Sequence, residues 1–278
     1  MPKLILSRKG FDSGSGGKAS ILLEDQLISL PIPLAGSGIR YDQLSAPDGT
    51  AYRTLMDELQ IAPFDEAHLD PDIEASVLPN RPGNWQASFG QQGASLTHLR
   101  KEGVGIGDLF LFFGWFRQVG ITEQGSFSYL PKTPDLHIIY GYLEVGKILN
   151  IPTDPIPMWV KKHPHWVMRE KMGIRNAIFV AAKHSSFWPG KMGAGTFSYS
   201  PKLVLTSRHE DNRKRSTWTL PECFFYPDQS CRLSYHRHKK GRPTLVGNHL
   251  QLSSAFRGQE FVCEQTSEIQ GWVRSLRN

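Results

Sequence analysis

Three short polar constellations have the residue types and spacing to act on a phosphorylated substrate. The first is N-terminal. Arg8, Lys9 and Lys18 flank a Gly/Ser-rich loop from Gly10 to Gly17 that follows an apolar stretch, residues 3–7. Small residues after a strand can aim several backbone N–H groups at one anion, and three cations add charge, so phosphate or sugar contact is expected with Asp12 as an acid/base group. It is not a Walker A loop, because Asp12 stands where the first glycine belongs and Ala19 where a hydroxyl would hold magnesium. A solvated surface loop would have the same composition.

The second constellation is His68, Asp70 and Asp72, at alternate positions of a polar turn. Alternation presents an imidazole and carboxylates to one side, either for a metal or with Asp72 as a general base. A purely structural turn accounts for it equally, since Pro71 keeps Asp70 out of the helical region. The third is His163-Pro164-His165, with Lys161 and Lys162 before it and Trp166 after it. No cysteine pair at zinc spacing and no HExxH accompanies these histidines, so no metal is assigned. His163 and His165 are read as nucleic-acid contacts, with Trp166 stacking on a base.

The strongest compositional bias lies in residues 208–242. Nine cations (Arg208, Arg213, Lys214, Arg215, Arg232, Arg237, Lys239, Lys240, Arg242) face only Glu210, Asp211, Glu222 and Asp228, with Trp218, Phe224, Phe225, Tyr226 and Tyr235 interleaved. Cations for the backbone and aromatic faces for bases are what flipped-base or single-strand recognition requires. Arg213, Lys214, Arg215, Arg237 and Lys239 are therefore expected on phosphates and Trp218 on a base; basic loops around core aromatics are the alternative. His236 and Glu260, each beside apolar residues, complete the acid/base candidates. Cys263 reads as a buried strand thiol. No nucleophile elbow or kinase signature defines a reaction.

These groups need a scaffold. Residues 3–7 and 27–33 read as strands, 51–61 and 93–102 as helices. Gly107-Asp108 turns into an aromatic strand over 109–116, with a partner at 136–145; residues 176–181 and 202–206 continue the sheet, and 269–276 closes the chain as a helix. Gly 26 and Pro 19 favour turns and strands over a helical bundle, and 39% hydrophobic residues supply a core. The expected fold is a single α+β domain, residues 1–278, around a curved or closed, mostly antiparallel sheet with a few short helices. The 32 Lys+Arg against 26 Asp+Glu, net +6, suit a polyanionic partner. No apolar run approaches the roughly 18 residues of a membrane helix, and three cysteines without metal spacing fit a reducing compartment, so a cytoplasmic location is expected.

The stretch Gly107 to Phe112, followed by the apolar strand at 136–145, resembles the PUA-like barrel group that includes EVE, ASCH and YTH domains. That likeness implies a base-cradling barrel, with residues 100–206 as its core. More broadly, the chain resembles the third nucleotide-modification-associated domain family of phages and bacteria. The residues that carry this are Leu6 to Ser13, His68 to Asp72, Gly107 to Phe116, His163-Pro164-His165, Trp218 to Pro221 and Gly258 to Val262. The resemblance implies a setting, modified nucleotides or DNA in a phage or bacterial defence context with partner proteins of the same operon, and no reaction or cofactor. Two functions follow. One is an enzyme acting on a nucleotide or a base. The other is a non-catalytic reader that cages a flipped-out modified base with Trp115 and the aromatic run Phe110 to Phe116.

Overall fold

The aromatic run read as a buried strand is the spine of the sheet. In the computed structural model, which describes residues 1–208, 214–236, 243–246, 249–254 and 260–277, β5 (Leu109–Ile121) pairs antiparallel with the long β7 (Leu136–Asn150). From β7 the sheet continues through β8 (Asn176–Ala181) to β4 (Ser88–Gln92). On the other side of β5, β1 (Lys3–Arg8) and β2 (Ser20–Leu23) run parallel to it in succession, opposite 109–113 and 116–119. The strand β13 (Glu260–Glu264) lies antiparallel outside β1. With β3 (Gln26–Ile28), β6 (Phe127–Tyr129) and β9 (Ala194–Thr196), this makes a ten-stranded mixed sheet, curled into a half-barrel. A small second sheet joins β10 (Thr217–Thr219), β11 (Thr244–Val246) and β12 (His249–Ser253). The helices are short: α1 (Tyr52–Glu58), α2 (Gly93–Lys101), α3 (Pro164–Val167), α4 (Arg169–Met172) and α5 (Ser267–Ser275). This is the α+β, sheet-dominated fold that the pattern implied.

Both faces of β5 are buried, which is why its sequence is continuously apolar instead of alternating. Phe110 and Phe112 point to one face and pack against Phe89 and Phe179. Phe113 meets Trp218 and Phe261. Phe110, Phe112, Phe113 and Phe116 are all 0% exposed, so this run is core and offers no cage to a base.

A bulge between Phe112 and Phe113 marks where β1 ends and the N-terminal chain leaves β5. The Lys9 N–H still donates to the Phe113 carbonyl at 2.8 Å. At Gly114 a Cβ would lie 2.9 Å from the Lys9 carbonyl oxygen, so only glycine lets the two backbones pass this closely. Gly10, at φ +79, then turns the chain away.

Two expected strands are corrected. Residues 27–33 give only β3, because Pro31 and Pro33 cannot donate to a ladder. Residues 202–206 form a single helical turn, Pro201–Leu203, and two isolated bridges, Ile138 to Val204 and Thr206 to Trp218. The Ser200 hydroxyl accepts from the Lys202 N–H and Pro201 presets the first turn. Local capping thus overrides the apolar pattern there.

Candidate functional site

Six ionisable side chains from distant segments converge beside β4. Lys9 follows β1; His68 and Asp70 lie in the turn that precedes β4; His163 and His165 open α3; Glu260 begins β13. The Lys9 ammonium sits 3.3 Å from Glu260 Oε1 and 4.4 Å above the Phe89 ring. Gln91, on β4, donates its Nε2 hydrogen to the same Glu260 oxygen. Glu260 is 0% exposed, and its Oε2 is buried without a hydrogen-bond partner.

Asp70 holds the other half of the centre. Its Oδ1 accepts the Gly90 N–H at 2.6 Å and lies 3.7 Å from His163 Nε2; its Oδ2 lies 3.7 Å from His165 Nε2. The His68 ring stacks on His165 at 5.3 Å and 24°. Asn176, the first residue of β8, clamps His165 by donating Nδ2–H to its carbonyl at 2.9 Å and facing Oδ1 to its ring Nδ1 at 2.7 Å. Gly90 is where this packing needs glycine, since a Cβ would come within 2.1 Å of His165 Cδ2.

Burial sets the protonation states. It pushes the Asp70 carboxyl up to about 7, against the lowering pull of Lys9 and the Gly90 N–H. It drives His68 down to about 3, helped by the nearby His165 and Lys9, and His165 down to about 4 against the Asn176 bond. His163 falls well below the usual imidazole value for the same reason. The three imidazoles are therefore neutral near pH 7, with lone pairs available.

Residues 69–72 also line a cavity of about 850 Å³, together with Ser29, Tyr140, Thr196 and Arg277. A smaller hollow of about 250 Å³ lies across the N-terminal loop, lined by Arg8, Asp12, Trp115, His137 and Arg215. There the Arg215 guanidinium covers the Trp115 ring at 3.9 Å and donates to Ser13, while Trp115 Nε1 donates to Asp135 at 2.8 Å.

Several sequence expectations change in this light. Asp72 is not an available base. Arg81 donates to both its oxygens at 2.5 and 2.6 Å and Trp85 adds a third bond at 3.0 Å, although desolvation still raises its carboxyl. Asp12 is committed to its own loop, where its Oδ1 accepts the N–H groups of Gly14 and Ser15, both at 2.8 Å. His236 is buried in a short turn, bonded to the Ser253 carbonyl at 2.9 Å and tilted against Phe261, away from the contacts that bind the Asp70 group together among the described residues. Trp218 is 0% exposed with its indole N–H bonded to His137, so neither face is open to a base.

His163 and His165 lie inside the protein and do not form a nucleic-acid surface. Trp166 is half-buried, its ring covered by Arg169 at 4.5 Å. Lys18 and Lys214 are exposed, whereas Lys9 is drawn inward to Glu260. Arg8 and Arg215 both line the smaller hollow, where Arg8 lies 3.9 Å from the Asp12 carboxylate. Arg213, Arg237 and Lys239 lie outside the described residues. Sequence reading undervalued His68, Asp70, Gln91 and Asn176. The two His-x-Asp and His-x-His pairs each carried the signal, but about ninety residues of chain separate them.

The model of nucleotide modification associated domain 3 matches residues 3–264. The chain belongs to that family. No curated protein and no solved structure matches it. All six ionisable residues of the buried centre fall inside the matched span, and the family associates the chain with nucleotide modification and with interaction with a nucleotide or nucleic acid. Among the described residues, no helix is long and apolar enough to cross a membrane.

Proposed function

We propose that this chain is an enzyme that modifies a nucleotide or a base of DNA or RNA, working through the buried Lys9–Glu260 and His68–Asp70–His163–His165 centre. One observation carries the reading. Three polar atoms there, His68 Nε2, His163 Nε2 and Glu260 Oε2, are buried without a hydrogen-bond partner. Unsatisfied polar atoms in a low-dielectric interior cost about 1–3 kcal/mol each, and folding alone gives no reason to gather them. Preorganised groups awaiting a reacting partner do.

The cavity beside Asp70 is of the size that holds a nucleotide-sized ligand. Arg8 and Arg215 in the smaller hollow suit a phosphate, with the edge of Trp115 beside it. The reader alternative is less well supported, because the phenylalanines that would form its cage are core.

The test is mass spectrometry of nucleosides and nucleotides from cells expressing the wild type, Asp70→Asn, Glu260→Gln or no protein. A new or depleted species is expected with the wild type and absent with both variants at equal soluble expression. Unchanged profiles together with tight nucleic-acid binding by the wild type would overturn catalysis in favour of the reader.

A further inference from the structure

We propose that His68, Asp70 and His165 form the binding site of one divalent transition-metal ion, with His163 and Asn176 as positioning residues that set how the ligands face it. The three ligand atoms all lie within 4.8 Å of one another. The spacing is wrong for hydrogen bonds. Asp70 Oδ2 and His165 Nε2 stand 3.7 Å apart, beyond the roughly 3.2 Å limit of an N–H···O bond. Two ligands on an ion at about 2.1 Å are separated by roughly 3.0–3.4 Å, close to the 3.7 Å of this pair.

The surrounding bonds leave each ligand atom turned toward the others. Asn176 donates its amide hydrogen to the His165 carbonyl, so its oxygen must accept from the ring; His165 Nδ1 therefore carries the hydrogen and Nε2 keeps the lone pair. This outer bond to a ligand histidine is the usual support of a metal-bound imidazole. His163 Nδ1 accepts the His165 N–H at 3.2 Å, which puts its own hydrogen on Nε2, 3.7 Å from Asp70 Oδ1 and outside hydrogen-bond range. Asp70 Oδ1 accepts the Gly90 N–H, so the second oxygen, Oδ2, is the one left for a cation. His68 completes the set, its Nε2 buried and unpartnered.

Two imidazole nitrogens and one carboxylate select ions of the iron(II), manganese(II), cobalt(II) or zinc(II) class over magnesium and calcium, which prefer all-oxygen shells. Three protein ligands leave coordination positions open for water or a substrate oxygen. The inference deepens the proposed function at the same centre, but a metal measurement needs no substrate, so either reading can fail without the other.

The experiment is titration of chelator-treated, full-length protein with cobalt(II), followed by its visible absorption and by thermal melting, with variants checked for folding by circular dichroism. One equivalent is expected to bind and raise the melting temperature. His68→Ala and His165→Ala should each weaken binding by about 100-fold or more, and Asn176→Ala by about 10–100-fold. Absence of cobalt binding by the wild type, or unchanged affinity in the folded ligand variants, overturns the proposal. Should a ligand variant not fold, X-ray absorption at the cobalt edge of the wild type decides: two imidazoles support the site, and one or none overturns it.

Discussion

Replacing Lys9 with methionine isolates the electrostatic coupling at the heart of the centre. Its ammonium and Glu260 Oε1 are 3.3 Å apart, with side chains 10% and 0% exposed. At an effective dielectric of about 20, that separation corresponds to about 5 kcal/mol of attraction. Removing one partner of a buried pair leaves the other charged and uncompensated, a loss of about 3–5 kcal/mol. Among the described residues, the Gln91 amide would then be the remaining side-chain donor to the carboxylate, and the contact of Lys9 with the Phe89 face would go too. At roughly 2–4 °C per kcal/mol for a domain of about this size, Lys9→Met should melt roughly 6–20 °C lower. Glu260→Gln should cost less, because the freed ammonium retains some solvent contact. The double variant should recover at least about 2 kcal/mol relative to the sum of the singles. Urea unfolding monitored by tryptophan fluorescence and circular dichroism supplies the three free energies. Single losses below about 1 kcal/mol, or additivity within about 0.5 kcal/mol, would refute the coupling and with it the idea that the centre is electrostatically preorganised.

Four further outcomes follow from the geometry. Gly90→Ala should abolish modification and metal binding while destabilising by about 1–3 kcal/mol, because its Cβ would overlap the His165 ring; normal metal affinity in that variant would contradict the placement of His165. Asp72→Asn should lower stability by about 3 kcal/mol, since Arg81 loses a buried counter-charge, and leave the nucleoside change per folded molecule intact. Lost turnover with an unchanged melting temperature would instead restore Asp72 as a general base. Trp218→Ala should cost about 3–5 kcal/mol as a core deletion without altering the affinity of folded protein for nucleic acid. Arg215→Ala should weaken binding to an oligonucleotide across sequences and reduce the salt slope by about 1, with melting nearly unchanged. Reversed outcomes for these two would make Trp218 the contact and Arg215 a structural residue.

Much of the scaffold was legible in the linear chain. The apolar run at 109–116, its partner at 136–145, the strand at 176–181 and the helices near 52–58, 93–101 and 267–275 are all present, because periodicity and terminal signals act over a few residues. The family was legible too, through motifs scattered from Leu6 to Val262. The site was legible only in fragments. His68-x-Asp70 and His163-x-His165 each looked like an ordinary turn, and Asp72 looked as available as Asp70. Arg81 and Trp85, in the loop that follows, bind Asp72, whereas Asp70 meets the Gly90 N–H on β4 and lies beside His163 at the start of α3; which carboxylate takes which partners depends on how that loop folds back and where α3 packs. The same holds for the cations and aromatics. Arg8 and Lys9 are adjacent in sequence, yet successive residues of an extended chain face opposite sides, so one reaches the surface hollow and the other the buried carboxylate. Composition and local pattern thus determine which elements form. Which ionisable groups are paired, desolvated or left waiting depends on long-range packing, and tertiary structure alone decides it.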